Sequence, residues 1–138
     1  MVRCETVLLI GQNIQGATCL RGHLEESGFE VLTVTNGPMA LDLLSSQVVA
    51  LVLIDFVPPT RHVDDADHAQ MDSFQLLRRL RLESDVGVII LSRESDEAIR
   101  LYFLDSGADD YVMWPYRCRE LVLRMRAVMR RAGHRTAH

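Results

Sequence analysis

Asp55 closes the apolar run Leu51-Val52-Leu53-Ile54 in a chain without a single lysine, its 15 basic residues all being arginine. A carboxylate at the end of a buried strand is either a reactive group held at the edge of a core or a polar residue that caps the strand. A second set of chemically capable groups follows closely. After Pro58-Pro59-Thr60, the segment from Arg61 to Gln70 carries His62, Asp64, Asp65, Asp67 and His68. These side chains could ligate zinc or manganese, but their spacing fits no specific metal motif, and such loops are commonly solvated. A polar loop is the reading adopted. Trp114 and Tyr116 flank Pro115. Aromatics so placed could wall a small-molecule pocket, tighten an interface or fill space, and packing is the simpler expectation. Cys4, Cys19 and Cys118 are odd in number and lack metal-ligand spacing, which points to reduced thiols in a cytoplasmic protein.

These groups need a scaffold, and 138 residues that are 48% apolar suffice for one domain with a proper core. The net charge of -4 argues against a nucleic-acid-binding surface on the domain as a whole. No apolar run is long enough to span a membrane. Short apolar runs at Val7–Ile10, Val31–Val34, Ala50–Ile54, Val86–Leu91 and Asp110–Met113 read as strands covered on both faces. Segments of helical period lie between them: Ile14 to Leu24, closed by Gly28, then Gly37–Ser46, Asp72–Glu83, Ser95–Ser106 and Tyr116–Ala132. In the last, Leu121, Val122, Met125, Val128 and Met129 make one apolar stripe. Alternation of this kind predicts a doubly wound α/β sheet with its site beyond the carboxyl ends of the strands.

Four local motifs occur in order: Leu-Val-Leu-Ile-Asp55, Met-Asp72-Ser-Phe-Gln-Leu-Leu-Arg-Arg-Leu-Arg81, Val-Ile-Ile-Leu-Ser92 and Ser-Gly-Ala-Asp-Asp-Tyr111-Val-Met-Trp-Pro115. An arginine-rich amphipathic helix follows them. From Thr6 to Arg131 the chain resembles the receiver domain of two-component response regulators, and among them the OmpR/PhoB subfamily. The resemblance implies a flavodoxin-like five-stranded parallel sheet of order 2-1-3-4-5 with five helices. It also implies a regulatory rather than enzymatic domain.

In that family an aspartate accepts a phosphoryl group from a partner kinase, and Asp55 matches the acceptor position. The resemblance places a Mg²⁺-binding acidic pair after the first strand, where this chain has Gly11 and Gln12, then Asn13. It places a lysine before the proline of the last loop, where this chain has Trp114. The switch hydroxyl is retained as Ser92 and the switch aromatic as Tyr111; a cis peptide before Pro115 is also implied. Phosphoryl transfer depends on neutralising charge, so loss of Mg²⁺ binding is expected and no cofactor is assigned. Arg93 is the neighbouring cation that could partly substitute.

The family's two-fold dimer face, on the fourth helix, fifth strand and fifth helix, is matched more fully. The resemblance pairs Arg100 with Glu120, Asp110 with Arg124 and Asp109 with Arg126 between subunits, around an apolar patch of Leu101, Leu104 and Val122. Residues 1–132 are expected to form the receiver and 133–138 a tail or the start of a linker. DNA binding would belong to a C-terminal domain that this chain does not contain. The expectation is an atypical receiver, a regulatory homodimerisation module of a transcriptional regulator working without conventional aspartyl phosphorylation, open to control by a small ligand or protein partner. The alternatives are a phosphoryl acceptor at Asp55 with altered metal use, and a stand-alone protein-binding adaptor.

Overall fold

A computed structural model describes residues 4–11, 14–56 and 71–136. Gln12, Asn13 and the whole of the Arg61–Gln70 segment, with its aspartates and histidines, lie outside the described residues. Five strands alternate with five helices: β1 (Thr6–Ile10), α1 (Ile14–Glu26), β2 (Glu30–Val34), α2 (Gly37–Ser46), β3 (Leu51–Asp55), α3 (Ser73–Glu83), β4 (Gly87–Ser92), α4 (Glu97–Asp105), β5 (Asp110–Met113) and α5 (Cys118–Thr136). All strand pairs are parallel and the order is β2-β1-β3-β4-β5, the flavodoxin-like arrangement that the resemblance implied.

Period-two side-chain alternation divides the core into two layers. Leu51 and Leu53 of β3 point to the face covered by α1 and α5, where they join Leu24, Leu121, Met125 and Val128. Val52 and Ile54 point to the other face, toward Ala40 of α2, Leu77 and Leu80 of α3, and Phe103 of α4. The central strands β1, β3 and β4 are buried on both faces, which is why they read as continuous apolar runs.

Helix starts are set by side-chain caps. Asn36 accepts from the Met39 N–H at 2.9 Å to open α2. Asp72 and Gln75 form a reciprocal capping box at α3. Asp96 accepts from Ala98 N at 2.8 Å to open α4. Gly28 takes φ +98° just past α1, a conformation that side chains with a Cβ rarely adopt.

Most boundaries lie within one or two residues of the sequence expectation, and the largest shift is at the end of α5. β3 includes Asp55, which sits in register with Leu91 of β4. α5 begins at Cys118 rather than Tyr116. It continues to Thr136, four residues beyond Ala132, because Gly133 only weakens a helix and no proline follows to stop it.

Candidate functional site

The carboxyl ends of four strands converge: Gly11 follows β1, Asp55 ends β3, Ser92 ends β4 and Trp114 follows β5. Gly11 donates its N–H to the Val34 carbonyl at 3.1 Å and packs directly against the acceptor position. A Cβ at residue 11 would stand 2.9 Å from the Asp55 Cβ and 3.3 Å from its Oδ2. β1 therefore brings no carboxylate to this point, and its backbone takes the space beside Asp55.

Asp55 is half-buried. Burial pushes its carboxyl above the ordinary value of 3.8, and the positive charge of Arg93 opposes that rise. No direct ion pair among the described residues involves Asp55, so Arg93 acts through space. Its guanidinium lies over the Trp114 ring, 5.3 Å from the centroid, in cation–π geometry. Trp114 meets Tyr116 edge to face at 5.2 Å. The Tyr116 phenol is pushed up to about 12, first by burial and then by the charges of Cys118, Asp55 and Cys19, against Arg93. Burial and the nearby Cys19 also raise the Cys118 thiol. Asp55, Arg93, Trp114, Tyr116 and two thiols thus share one end of the sheet. The peptide between Trp114 and Pro115 is cis, as the resemblance implied.

The two switch residues are connected through one neighbour. Ser92 is 2% exposed, and its Oγ accepts from the Glu94 N–H at 2.9 Å. Tyr111 is buried, and its hydroxyl donates to the Glu94 carbonyl at 2.9 Å. Trp114 N donates to the Ser92 carbonyl at 2.7 Å, tying the last loop to the same segment. Behind Tyr111 lies an aromatic group: Phe103 stacks on Phe74 at 4.4 Å and meets Phe56 edge to face at 5.0 Å.

The residues expected at the dimer face have partners within the chain. Arg124 reaches Asp110 at 3.0 Å and Glu120 at 3.2 Å within the chain. Arg100 pairs with Glu97 at 2.8 Å. A cleft of about 320 Å³ opens between α4 and α5 over β5, with Arg100 on one wall, Glu120 and Arg124 on the other, and Tyr111, Met113 and Tyr116 among its lining.

Asp109 accepts from Val88 N at 2.9 Å and pairs with Arg81 at 2.9 Å. Arg126 lies over the Phe29 ring at 5.8 Å. Val122, expected on the apolar patch, is 6% exposed and belongs to the core layer under α5. Leu101 is half-exposed and Leu104 half-buried. Sequence reasoning missed Arg81 and Glu94. Arg81 meets its partner 28 residues away, and Glu94 acts through its backbone, which carries no residue-type signal.

Residues 7–126 match the family described as the response regulator receiver domain. The chain is 35% identical over 128 residues to the sensory transduction protein RegX3 of Mycobacterium tuberculosis, covering 93% of this chain and 52% of that protein. It is 32% identical over 134 residues to the probable transcriptional regulator ycf27 of Porphyra purpurea, covering 97% of this chain and 51% of that protein. The chain thus spans about half the length of these curated relatives. Among solved structures, the Francisella response regulator 1452 receiver domain superposes with a TM-score of 0.78 at 26% identity, covering 92% of this chain and 98% of that one. Among the described residues no helix is long and apolar enough to cross a membrane. The chain belongs to the response regulator receiver domain family.

Proposed function

We propose that this domain is an atypical receiver: the regulatory homodimerisation module of a cytoplasmic transcriptional regulator, acting without conventional Mg²⁺-dependent phosphorylation of Asp55. The observation that carries this reading is the contact between Gly11 and Asp55. Mg²⁺ wants several oxygen ligands in near-octahedral array. Here the strand beside the acceptor offers a bare backbone at a distance that leaves no room for a side chain. Among the described residues, no group of three or more His, Cys, Asp or Glu side chains is placed to hold a metal ion. No lysine exists to anchor phosphoryl oxygens, and a phosphorylated Asp55 would carry about two negative charges facing Arg93 alone among the cations identified at this site.

The link from Ser92 through Glu94 to Tyr111 supports the same reading. Both hydrogen bonds are present in the unmodified chain; on this reading the equilibrium that phosphorylation normally shifts is already biased. DNA binding, as the regulator relatives' names suggest, would reside in a part of the protein outside this chain.

Three measurements on one sample test the proposal. Titrating Mg²⁺ while following the fluorescence of Trp114, the only tryptophan, should give no saturable change below several millimolar. Intact-mass analysis after incubation with acetyl phosphate and Mg²⁺ should show no adduct at Asp55. Sedimentation should show a dimer without either reagent. Saturation in the millimolar range together with an Asp55 adduct would overturn it.

A further inference from the structure

Arg93 stands between the two halves of this site. Its backbone joins Ser92, whose Oγ accepts from Glu94 N, to Glu94, whose carbonyl holds the Tyr111 hydroxyl. Its side chain lies over Trp114, and Trp114 N is bonded to the Ser92 carbonyl at 2.7 Å. The Arg93 charge also acts on Asp55 and on Tyr116. An arginine on an exposed stretch is ordinarily solvated and disordered in its rotamers. This one has an aromatic seat.

We propose that Arg93 is the resident cation and positioning residue of the site: seated on Trp114, it holds the Ser92–Glu94 segment, and through it Tyr111, in the buried arrangement without a phosphoryl group. The inference rests on the phosphorylation-independent reading above and names the group that takes over the anchoring role. A guanidinium suits this place because it stacks on an aromatic face and remains charged at every physiological pH. Gly11 contributes by giving Asp55 its position next to bare backbone.

The test follows the Asp55 carboxyl and the Tyr111 ring by ¹³C NMR in the wild-type chain, in Arg93→Ala, in Trp114→Ala and in the double variant. Arg93→Ala should raise the Asp55 titration midpoint above its wild-type value. It should also cut the buried Tyr111 population, relative to any alternative, by ~2- to 5-fold, the range that an exposed cation–π contact supplies. Trp114→Ala should have the same effect on Tyr111, and the double variant should do no more than either alone, because both remove one contact. Arg93 and Trp114 are both exposed, so their alanine variants should keep the fold, as dispersion elsewhere in the spectrum will report. With Arg93 unseated in Trp114→Ala, the Asp55 midpoint should rise there too.

An unmoved Asp55 midpoint with an unmoved Tyr111 ring in Arg93→Ala overturns the proposal, as do additive effects in the double variant. An Asp55 adduct from acetyl phosphate would sink the proposed function while these spectra still report on Arg93. Flat spectra would sink the role of Arg93 and leave the proposed function standing.

Discussion

Gly11 and Asp55 occupy each other's space: a Cβ on the glycine would fall 2.9 Å from that of the aspartate, closer than two such atoms sit in a relaxed core. Gly11→Ala should therefore destabilise the domain by about 1–3 kcal/mol, the cost of overpacking a rigid position. Gly22 is an internal control, since it lies in α1 and a Cβ added there would meet nothing within 4 Å. Gly22→Ala should stabilise by roughly 0.5–1 kcal/mol through helix propensity alone. Urea denaturation of both variants checks the contrast, and opposite signs at the two positions are essential to it.

Asp55 carries a pH signature. Its folded-state carboxyl lies above the ordinary 3.8 because burial disfavours the charged form. The folded state therefore binds the proton more tightly than the unfolded state. The Asp55 contribution to stability is greatest below the ordinary value and is lost as pH rises through the raised folded value. Asp55→Asn mimics the protonated group, so it should be more stable than wild type at pH 7, with the gap closing as pH falls toward 3.8. Thermal unfolding of the two proteins across that window measures the difference. A gap that widens on acidification would contradict the assigned direction.

Asp109 and Arg126 separate a structural ion pair from an interface residue. The Asp109 carboxylate is largely buried, bonded to Arg81 and to Val88 N, while Arg81 also donates to the Gly107 and Val86 carbonyls at 2.8 and 2.6 Å. Asp109→Ala should cost about 3 kcal/mol, since it takes the carboxylate away from a guanidinium in a part-buried site. Arg126→Ala should cost no more than about 1 kcal/mol, the range of the exposed cation–π contact it makes with Phe29. Urea unfolding of the two variants gives both values directly.

The sheet was legible because its strands are buried on both faces, so Leu51 to Ile54 and Val88 to Leu91 stand out as unbroken apolar runs in the chain. Helix starts were legible where the cap is local, as with Asp72 and Gln75, which lie three residues apart. The pocket was legible by what its residues lack, namely carboxylates at 11 and 12 and a lysine at 114. What the sequence left open depends on direction in space. Val122 fitted both the buried stripe of α5 and the surface patch, and only packing against the sheet decides for the core. Asp109 reads as a surface charge until Arg81 is folded against it. The seat of Arg93 on Trp114 joins two loops separated by β5 and α4, which no spacing rule connects.

The dimer face offers the sharpest test of the proposed assembly, and its in-chain ion pairs define the controls. Arg100→Glu should weaken self-association by placing like charge against the Glu120 expected from a second subunit. The same change also sets two glutamates three residues apart on α4, replacing the pair with Glu97, a local penalty of roughly 0.2–0.5 kcal/mol. Glu120→Arg should weaken association too, and it releases one of the two acids that hold Arg124. Combining the two reversals restores opposite charges across the two-fold axis but repairs neither local pair. Association should therefore recover in the double variant, while unfolding stability, followed at dilutions that keep every variant monomeric, stays at the sum of the single changes. Sedimentation and urea unfolding, run side by side at about 0.15 M salt where long-range effects are screened, separate the two quantities. Recovery of association without recovery of stability supports the α4–β5–α5 dimer. A wild-type chain that stays monomeric at high micromolar concentration, or a double variant that associates no better than either single one, rules that interface out.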